Sequence, residues 1–257
     1  MSKKMTAFKY DRFRWAVDNI LVKDLLFIGI SGSHTYGWNR EDSDLDIREV
    51  WFPDIAQILS PFYKPRTKTE YRFDNTDFVS YPANIYIRLL DKGNGNMLEN
   101  LFQHKVYENK KLVDELKDIT LKNLHTGFLK HYAGYSLNMK KDFTNESRLK
   151  KVGIVKLILT RYRVLLSGIL LNTYKEVIYN LNEQHKKFMT DHCLPLLEKY
   201  KNNEEISGKL IKSAINETDR LDKILKEDHI DKPNLIPAEQ SPSPSLNRWF
   251  VNYYEGR

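Results

Sequence analysis

The sequence contains little cysteine and no long hydrophobic run. Its 257 residues include one cysteine, Cys193, so a disulfide framework is excluded and a reducing compartment fits. No run of 18 apolar residues is present, so we predict neither a transmembrane helix nor a membrane partner. The N-terminus carries charges but lacks the apolar stretch of a signal peptide. We therefore expect a cytoplasmic protein.

Histidine motifs and an acidic excess are also lacking. The seven histidines show no His-Glu-x-x-His or His-x-His spacing, which argues against a zinc site of those types. Lys and Arg outnumber Asp and Glu by 41 to 34, which gives a net charge of +7 and a pI of about 9.2. This balance favours a polyanionic partner, although a lysine-rich protein without such a partner has the same charge.

Hydrophobic patterns divide the chain into a β-containing N-terminal part (1–108), a helical part (109–230) and a Pro/Ser-rich end (231–257). Apolar alternation and runs predict strands over 25–31, 44–52 and 76–81. Helical spacing predicts helices over 8–23, 82–93, 96–103 and 148–171, and a lysine-rich helical stretch over 196–228. Four prolines between 232 and 244 predict an extended strap, whose aromatic end docks on the body.

The most informative stretch is GISGSHTYGWNREDSDLDIREVWFPD, residues 29–54. Gly32 and Ser33 follow a predicted buried strand, where backbone N–H groups at a helix start can hold a phosphate. Asp44 and Asp46 alternate along a second predicted strand, so both side chains point to one face. Two adjacent carboxylates repel each other unless a cation lies between them, and Mg²⁺ prefers oxygen ligands. The combination predicts a site for a metal-bound nucleoside triphosphate.

This stretch resembles the signature of polymerase-β-type nucleotidyltransferases, and most closely that of the RNA-repair-associated (RlaP-like) family. The matching residues are Gly32, Ser33, Tyr36, Gly37, Ser43, Asp44, Asp46 and Arg48. LLDKGNGNMLENLF (89–102) resembles the family's second block, with Gly95 where proline is common. Glu49 departs from the small residue usual at its position.

The resemblance implies a fold and a chemistry. The expected fold is an α/β nucleotidyltransferase domain with a short mixed sheet, followed by a mainly helical C-terminal domain. The implied reaction is two-metal-ion transfer of a nucleoside monophosphate from a triphosphate such as ATP to a hydroxyl, with release of pyrophosphate. Two Mg²⁺ ions, with Mn²⁺ as the alternative, would be held by three catalytic carboxylates. The nucleotide would contact Gly32, Ser33, Tyr36 and Arg48.

The third carboxylate of such sites lies on a neighbouring strand. Asp77 and Asp74 are the candidates, and we favour Asp77 because apolar Phe78 and Val79 follow it directly. The predicted catalytic and metal-binding set is therefore Asp44, Asp46 and Asp77.

Several other residues have both a functional and a structural interpretation. Lys156 and Arg163 share a helix face and either reach nucleotide phosphates or belong to a solvated surface. His34 either contacts the ligand or caps the turn, Cys193 is a buried small residue rather than a nucleophile, and Glu99 is an anchor rather than a metal ligand. A second set forms either a phosphate-tracking patch with stacking rings or an ordinary surface: Tyr132, Tyr135, Lys140, Lys141, Arg148, Lys150 and Lys151.

The acceptor is the least determined part of the function. The positive charge and the family favour an RNA end, such as that of a tRNA. Nucleotidylation of a protein or a small molecule is the alternative, and an inactive nucleotide- or nucleic-acid-binding module is a third. The sequence does not determine the base of the nucleotide or the oligomeric state.

Overall fold

The computed structural model describes residues 24–62, 69–73, 75–238 and 243–256, with segment 69–73 as backbone. The helix predicted over 8–23 and the alternative acid Asp74 lie outside the described residues.

The described part contains a five-stranded mixed sheet with the order β3-β4-β2-β1-β5. The strands are β1 (Leu25–Ser31), β2 (Leu45–Trp51), β3 (Thr69–Phe73), β4 (Thr76–Pro82) and β5 (Lys105–Glu108). β2 and β4 run parallel, whereas β1 pairs antiparallel with β2 and β5, and β3 pairs antiparallel with β4. The short mixed sheet and the three predicted strands are confirmed, while β3 and β5 were not predicted.

Within the described residues, four helices belong to the part of the chain that contains the sheet. They are α1 (Ser33–Tyr36), α2 (Ile55–Leu59), α3 (Ala83–Asp91) and α4 (Gly95–Phe102). The two helices predicted in the second block correspond to α3 and α4. The Asn94 side chain caps α4 by accepting hydrogen bonds from the backbone N–H groups of Asn96 and Met97, at 3.0 and 3.3 Å.

The following part is helical, as predicted. Its helices are α5 (Lys110–Lys122), α6 (Thr126–Asp142), α7 (Glu146–Val152), α8 (Ile154–Tyr174), α9 (Leu181–Lys187), α10 (Cys193–Lys201) and α11 (Gly208–Ile224), followed by a π-helical segment (Leu225–Ile230). The single helix predicted over 148–171 is wrong, because the chain breaks at Gly153 with φ of +81°. Only glycine adopts such a φ without strain, so α7 and α8 are separate helices.

The C-terminal end corrects the prediction of an extended strap in part. Residues 231–238 are non-helical, but Pro244–Glu255 form a helix, α12. Pro244 occupies the first turn, where a missing N–H costs nothing, and the Ser243 side chain caps the N-terminus. The aromatic end packs, as predicted, on the body of the protein just after β2, since Tyr253 stacks on Phe52 and the Tyr254 hydroxyl donates to the Pro53 carbonyl at 2.6 Å.

One large hydrophobic core joins the sheet to the helices. It runs from Leu26 and Phe27 in β1 through the buried helix α8 to Trp249 in α12. A smaller apolar cluster lies on the opposite face of the sheet and includes Ile28, Ile47 and Phe78. The division at residues 108 and 230 stays a proposal, because the main core extends across both positions. Within the described residues, no helix combines the length and apolarity that crossing a bilayer requires.

Candidate active site

A glycine turn joins β1 to α1 and lies against strand β2. Gly32 has a φ of +67°, and a Cβ added there would lie 1.8 Å from Oδ2 of Asp46. Glycine is therefore required by both conformation and space. The Gly32 carbonyl accepts hydrogen bonds from the N–H groups of Thr35 and Tyr36, each at 3.0 Å, which starts α1.

Asp46 lies at the centre of a group of carboxylates. The sheet register pairs it with Ser31 of β1 on one side and with Asp77 of β4 on the other, and Asp44 precedes it by two residues. Burial raises the pKa of the Asp46 carboxyl, the charge of Arg48 opposes this rise, and the charges of Asp44 and Asp77 add to it. The three predicted acids are thus brought close enough to interact electrostatically.

Arg48 binds the same carboxylate. Its Nη2 donates to Oδ1 of Asp46 at 3.0 Å, and its Nη1 donates to the backbone carbonyls of Ile47 and Asp77 at 2.9 and 3.2 Å. These contacts fix the guanidinium between β2 and β4. Arg48 therefore orients Asp46 and partly compensates the negative charge of the group.

The side chains around Asp46 have the donor chemistry of a divalent-cation site. The described residues contain no ready-made set of three or more His, Cys, Asp or Glu side chains that could hold a metal ion. The donors around Asp46 are nevertheless all oxygen atoms, which hard cations prefer. Three interacting carboxylates with one arginine carry net negative charge, so the donor chemistry fits a divalent cation.

A cleft of about 590 Å³ opens over this group. Seven of the predicted site residues line it: Gly32, Ser33, Tyr36, Asp44, Asp46, Arg48 and Lys156. Asp77 does not, since it lies one strand further along the sheet. The helical part closes the cleft with Tyr135 of α6 and with Lys156, Thr160 and Arg163 of α8.

Arg163 lies at the base of the cleft and connects three helices. It is 1 % exposed, donates from Nη1 to the fully buried carboxylate of Glu99 in α4, and places its Cζ 4.0 Å from the ring centroid of Tyr36 in α1. Burial, the largest single influence, lowers the pKa of Arg163, but the charge of Glu99 and the neighbouring tyrosine hydroxyls together outweigh burial and hold that pKa above its ordinary value. The interpretation of Arg163 as part of a solvated helix face is therefore wrong. Its guanidinium packs against Tyr36 and supports the glycine turn.

A sequence model of the RNA repair pathway DNA polymerase beta family (RlaP) matches residues 8–252 of the chain. The chain belongs to this family. An uncharacterized protein of Methanocaldococcus jannaschii is 29 % identical over 125 residues, which cover 48 % of this chain and 51 % of that protein. The chain therefore spans about half the length of the curated relative that it matches.

Two solved structures are similar to the RlaP-family chain at low identity. Spectinomycin adenyltransferase AAD(9) from Enterococcus faecialis, solved with ATP and spectinomycin, shares 14 % identity at a TM-score of 0.48, over 85 % of this chain and 98 % of that one. A nucleotidyltransferase-like protein from Exiguobacterium sibiricum shares 11 % identity at a TM-score of 0.35, over 95 % of this chain and 79 % of that one. Both scores are below 0.5, so the assignment to a nucleotidyltransferase family depends on the family match.

The remaining candidates from the sequence have structural explanations. Cys193 is fully buried, and burial raises the pKa of its thiol to about 12, so it is not an activated nucleophile. Glu99 binds Arg163 and Ser167 as an anchor. His34 lies in α1 outside the cleft lining.

The predicted stacking patch is wrong in part. Tyr132 is 1 % exposed, so its ring cannot stack on bases. Lys140 pairs with Asp219 at 2.9 Å and Arg148 with Asp142 at 3.0 Å, which reduces their positive charge toward a ligand. The exposed lysines of the patch are Lys140, Lys141, Lys150 and Lys151, and of these Lys140 is paired with Asp219.

Several residues of the site were not predicted from the sequence, and some of them come from distant positions in the chain. Trp38, Asn96 and Asn100 line the cleft. Asn180, just before α9, donates from Nδ2 to the Thr35 carbonyl at 3.1 Å and closes the turn from the other side. No local pattern reports such contacts, because the partners lie far apart in the chain.

A groove of about 350 Å³ continues the cleft along α6. It shares Asn96 and Tyr135 with the cleft and adds Lys130, His131 and Asn138. Burial and the charge of Arg163 lower the pKa of His131, and its Nε2 has no hydrogen-bond partner. The groove therefore offers a positive charge, an aromatic ring and an imidazole with a lowered pKa next to the cleft.

Proposed function

We propose that the protein transfers a nucleoside monophosphate from a nucleoside triphosphate to a hydroxyl group at an RNA end. The observation that carries this proposal is the contact between the glycine turn and the acidic strand. Gly32 touches the Asp46 carboxylate, so a phosphate bound at the turn would lie directly beside the carboxylates. Phosphoryl transfer requires this juxtaposition of a phosphate site and a cation site.

The residues of the cleft have separate roles in this proposal. The Ser33 hydroxyl and the backbone of the turn bind the β- and γ-phosphates, and Lys156 contributes positive charge from the opposite wall. Arg48 and the buried Arg163 hold Asp46 and Tyr36 in place. Asp44, Asp46 and Asp77 would hold the two Mg²⁺ ions, or Mn²⁺, which when bound neutralise phosphate charge and lower the pKa of the acceptor hydroxyl.

The groove along α6 is the proposed place of the acceptor. It opens into the cleft at Asn96 and Tyr135, so an acceptor lying in it would point its end toward Asp44 and Asp46. Lys130 supplies positive charge for a phosphate, and Tyr135 supplies a ring for a base. The net charge of +7 supports an RNA acceptor.

A transfer assay tests the proposal. The protein is incubated with Mg²⁺ and each α-labelled triphosphate, together with pooled tRNA-sized RNA, with a protein pool or with small hydroxyl compounds. We expect label on RNA and release of pyrophosphate. Label on protein or on a small molecule would overturn the RNA acceptor but keep the transfer chemistry, and no labelled product would overturn the reaction itself.

Replacing Asp46, the central carboxylate, tests the proposed metal site directly. We expect Asp46→Asn to reduce transfer by about a hundredfold or more, because several kcal/mol of transition-state stabilisation depend on each bound metal. The fold should persist, since burial and two neighbouring carboxylates already oppose the charge of Asp46. Thermal melts without Mg²⁺ and transfer rates with it measure both effects. Asp42→Asn, at an exposed acid of the turn that precedes β2, is the control.

A further inference from the structure

Besides Arg163, whose Nε lacks a partner although its Nη1 donates to Glu99, three side chains that line the cleft carry buried polar atoms without a hydrogen-bond partner. They are the Ser33 hydroxyl, the Trp38 indole N–H, and both the oxygen and the nitrogen of the Asn100 amide. The three residues are 5 %, 3 % and 3 % exposed. A buried polar group without a partner destabilises a protein, and most native proteins contain few of them. Their grouping in one cleft therefore points to a ligand that supplies the missing partners.

The hydrogen-bonding chemistry of these groups distinguishes a phosphate part of the ligand from a part with both donors and acceptors. The Ser33 hydroxyl belongs to the phosphate turn and has a partner in the proposed function. Asn100 is different, because a phosphate oxygen accepts hydrogen bonds only and would leave the amide oxygen unpaired. The amide needs a ligand edge with a donor beside an acceptor, which every nucleobase presents. Trp38 adds one donor.

Asn100 is held rigidly enough to discriminate between ligands. Its helix α4 is capped by Asn94, and its neighbour Glu99 is tied to Arg163 and Ser167. The ammonium of Lys105 donates to the Asn100 backbone carbonyl. An amide fixed at its backbone presents its donor and acceptor in a defined arrangement, as recognition of a base edge requires.

We infer that Asn100, assisted by Trp38, binds the nucleobase edge of the nucleoside triphosphate and sets base selectivity. This inference rests on the proposed function, since it assigns the nucleotide to the same cleft. Asn100 is a specificity-determining residue, and the reacting phosphates lie toward Ser33 and Asp46.

The same helical segment contains a matched control. Gln103 follows α4, is 2 % exposed, and also has both amide atoms buried without a partner. It does not line the cleft. Replacing either amide with an apolar side chain removes a buried polar group, but only the change at Asn100 alters the cleft.

The experiment compares Asn100→Leu with Gln103→Met in the full chain. Calorimetric titration with ATP, GTP, CTP, UTP and inorganic tripolyphosphate gives the affinities, and thermal melts give ligand-free stability. We expect Asn100→Leu to weaken the preferred nucleotide by about tenfold or more and to reduce the preference among bases, because a good amide–base pair contributes that much discrimination. Tripolyphosphate affinity should not change. Gln103→Met should leave every affinity unchanged, and neither variant should melt below wild type.

The outcomes separate this inference from the proposed function. Wild-type protein that binds none of the four nucleotides would overturn both. Wild-type binding that Asn100→Leu leaves unchanged would overturn the inference alone, as would an equal loss for tripolyphosphate. If Asn100→Leu does not fold, Asn100→Ala is measured in its place, and unchanged nucleotide affinity and selectivity in that variant would overturn the inference.

Discussion

Gly32 and Gly153 both have a positive φ. Comparing their alanine variants separates the effect of backbone strain from that of steric collision. A Cβ at Gly32 would collide with Asp46, whereas a Cβ at Gly153 would meet nothing within 4 Å. Both alanine variants should lose about 1–3 kcal/mol of stability, because a positive φ combined with an extended ψ, −151° at Gly32 and +144° at Gly153, strains any residue with a side chain. We expect Gly32→Ala alone to abolish nucleotide binding as well, as measured by titration with a nucleoside triphosphate. Equal nucleotide binding by the two variants would contradict a turn packed on the carboxylate.

A buried carboxylate makes stability depend on pH. Glu49 of β2 is 1 % exposed, and burial raises its pKa from 4.5 to about 7, although the hydrogen bond from Ser80 opposes the rise. A raised carboxyl pKa means that stability is fully present below pH 4.5 and is lost as the pH rises through 7. Glu49→Gln should therefore gain stability relative to wild type across that window and keep the gain at higher pH.

Urea midpoints at several pH values between 4.5 and 8 measure this difference. The exposed Glu205→Gln provides the control. A difference between Glu49→Gln and wild type that stays constant with pH would show that Glu49 is ionised throughout the range.

The elements of the fold differ in how far the sequence predicts them. β1, β2 and β4 have strong apolar sequence patterns, because most of their residues are buried. β5 has four residues at the sheet edge, none of them buried, so it has no apolar signal. The break at Gly153 could have been read from the glycine, and the start of α12 from Ser243 and Pro244, but the dense prolines before that point favoured an extended chain.

Helix α12 should stabilise the whole protein through its aromatic side chains. Trp249 is 5 % exposed and lies 5.8 Å from Phe52, between ring centroids. Trp249→Ala should reduce the free energy of unfolding by about 3–5 kcal/mol, since it removes a large buried ring. Val251→Ala, at a position 39 % exposed on the same helix, should change it by less than about 0.5 kcal/mol. Chemical denaturation of both variants provides the measurement, and equal losses would show that α12 is not docked.

At the scale of the whole molecule, RNA binding should depend more on where the positive charges lie than on the net charge. Lys150 and Lys151 are exposed on α7, whereas Lys111 and Lys122 are exposed on α5, which packs against β1 and α12. Reversing either pair to Glu changes the net charge equally. We expect only the α7 pair to weaken RNA binding and to reduce its salt dependence, because released counterions report phosphate contacts.

Filter binding of a tRNA-sized RNA at low and moderate salt separates the two variants. Equal losses would attribute RNA binding to net charge alone. Unchanged nucleotide affinity in both variants would show that the nucleotide site is intact.

The sequence predicts the carboxylates and the glycine turn because they are close together in the chain and follow a recognisable spacing. It predicts Lys156 as a candidate nucleotide contact, but it does not predict how Asn100, Tyr135 and Lys156 converge from three different helices to form the walls of the cleft. Their convergence depends on how α4, α6 and α8 pack around Arg163, and packing between distant segments leaves no local pattern.

The hydrogen bond from Asn180 to Thr35 has a consequence for biosynthesis, because its partners are 145 residues apart. At about 5–20 residues per second, a ribosome needs roughly 7–30 s to advance from one to the other. Arg163, which supports Tyr36 from below, also emerges long after the strands. A nascent chain that has released only the sheet thus carries the turn without its later contacts. On the proposed function, nucleotide binding would therefore be among the last properties that the growing polypeptide acquires.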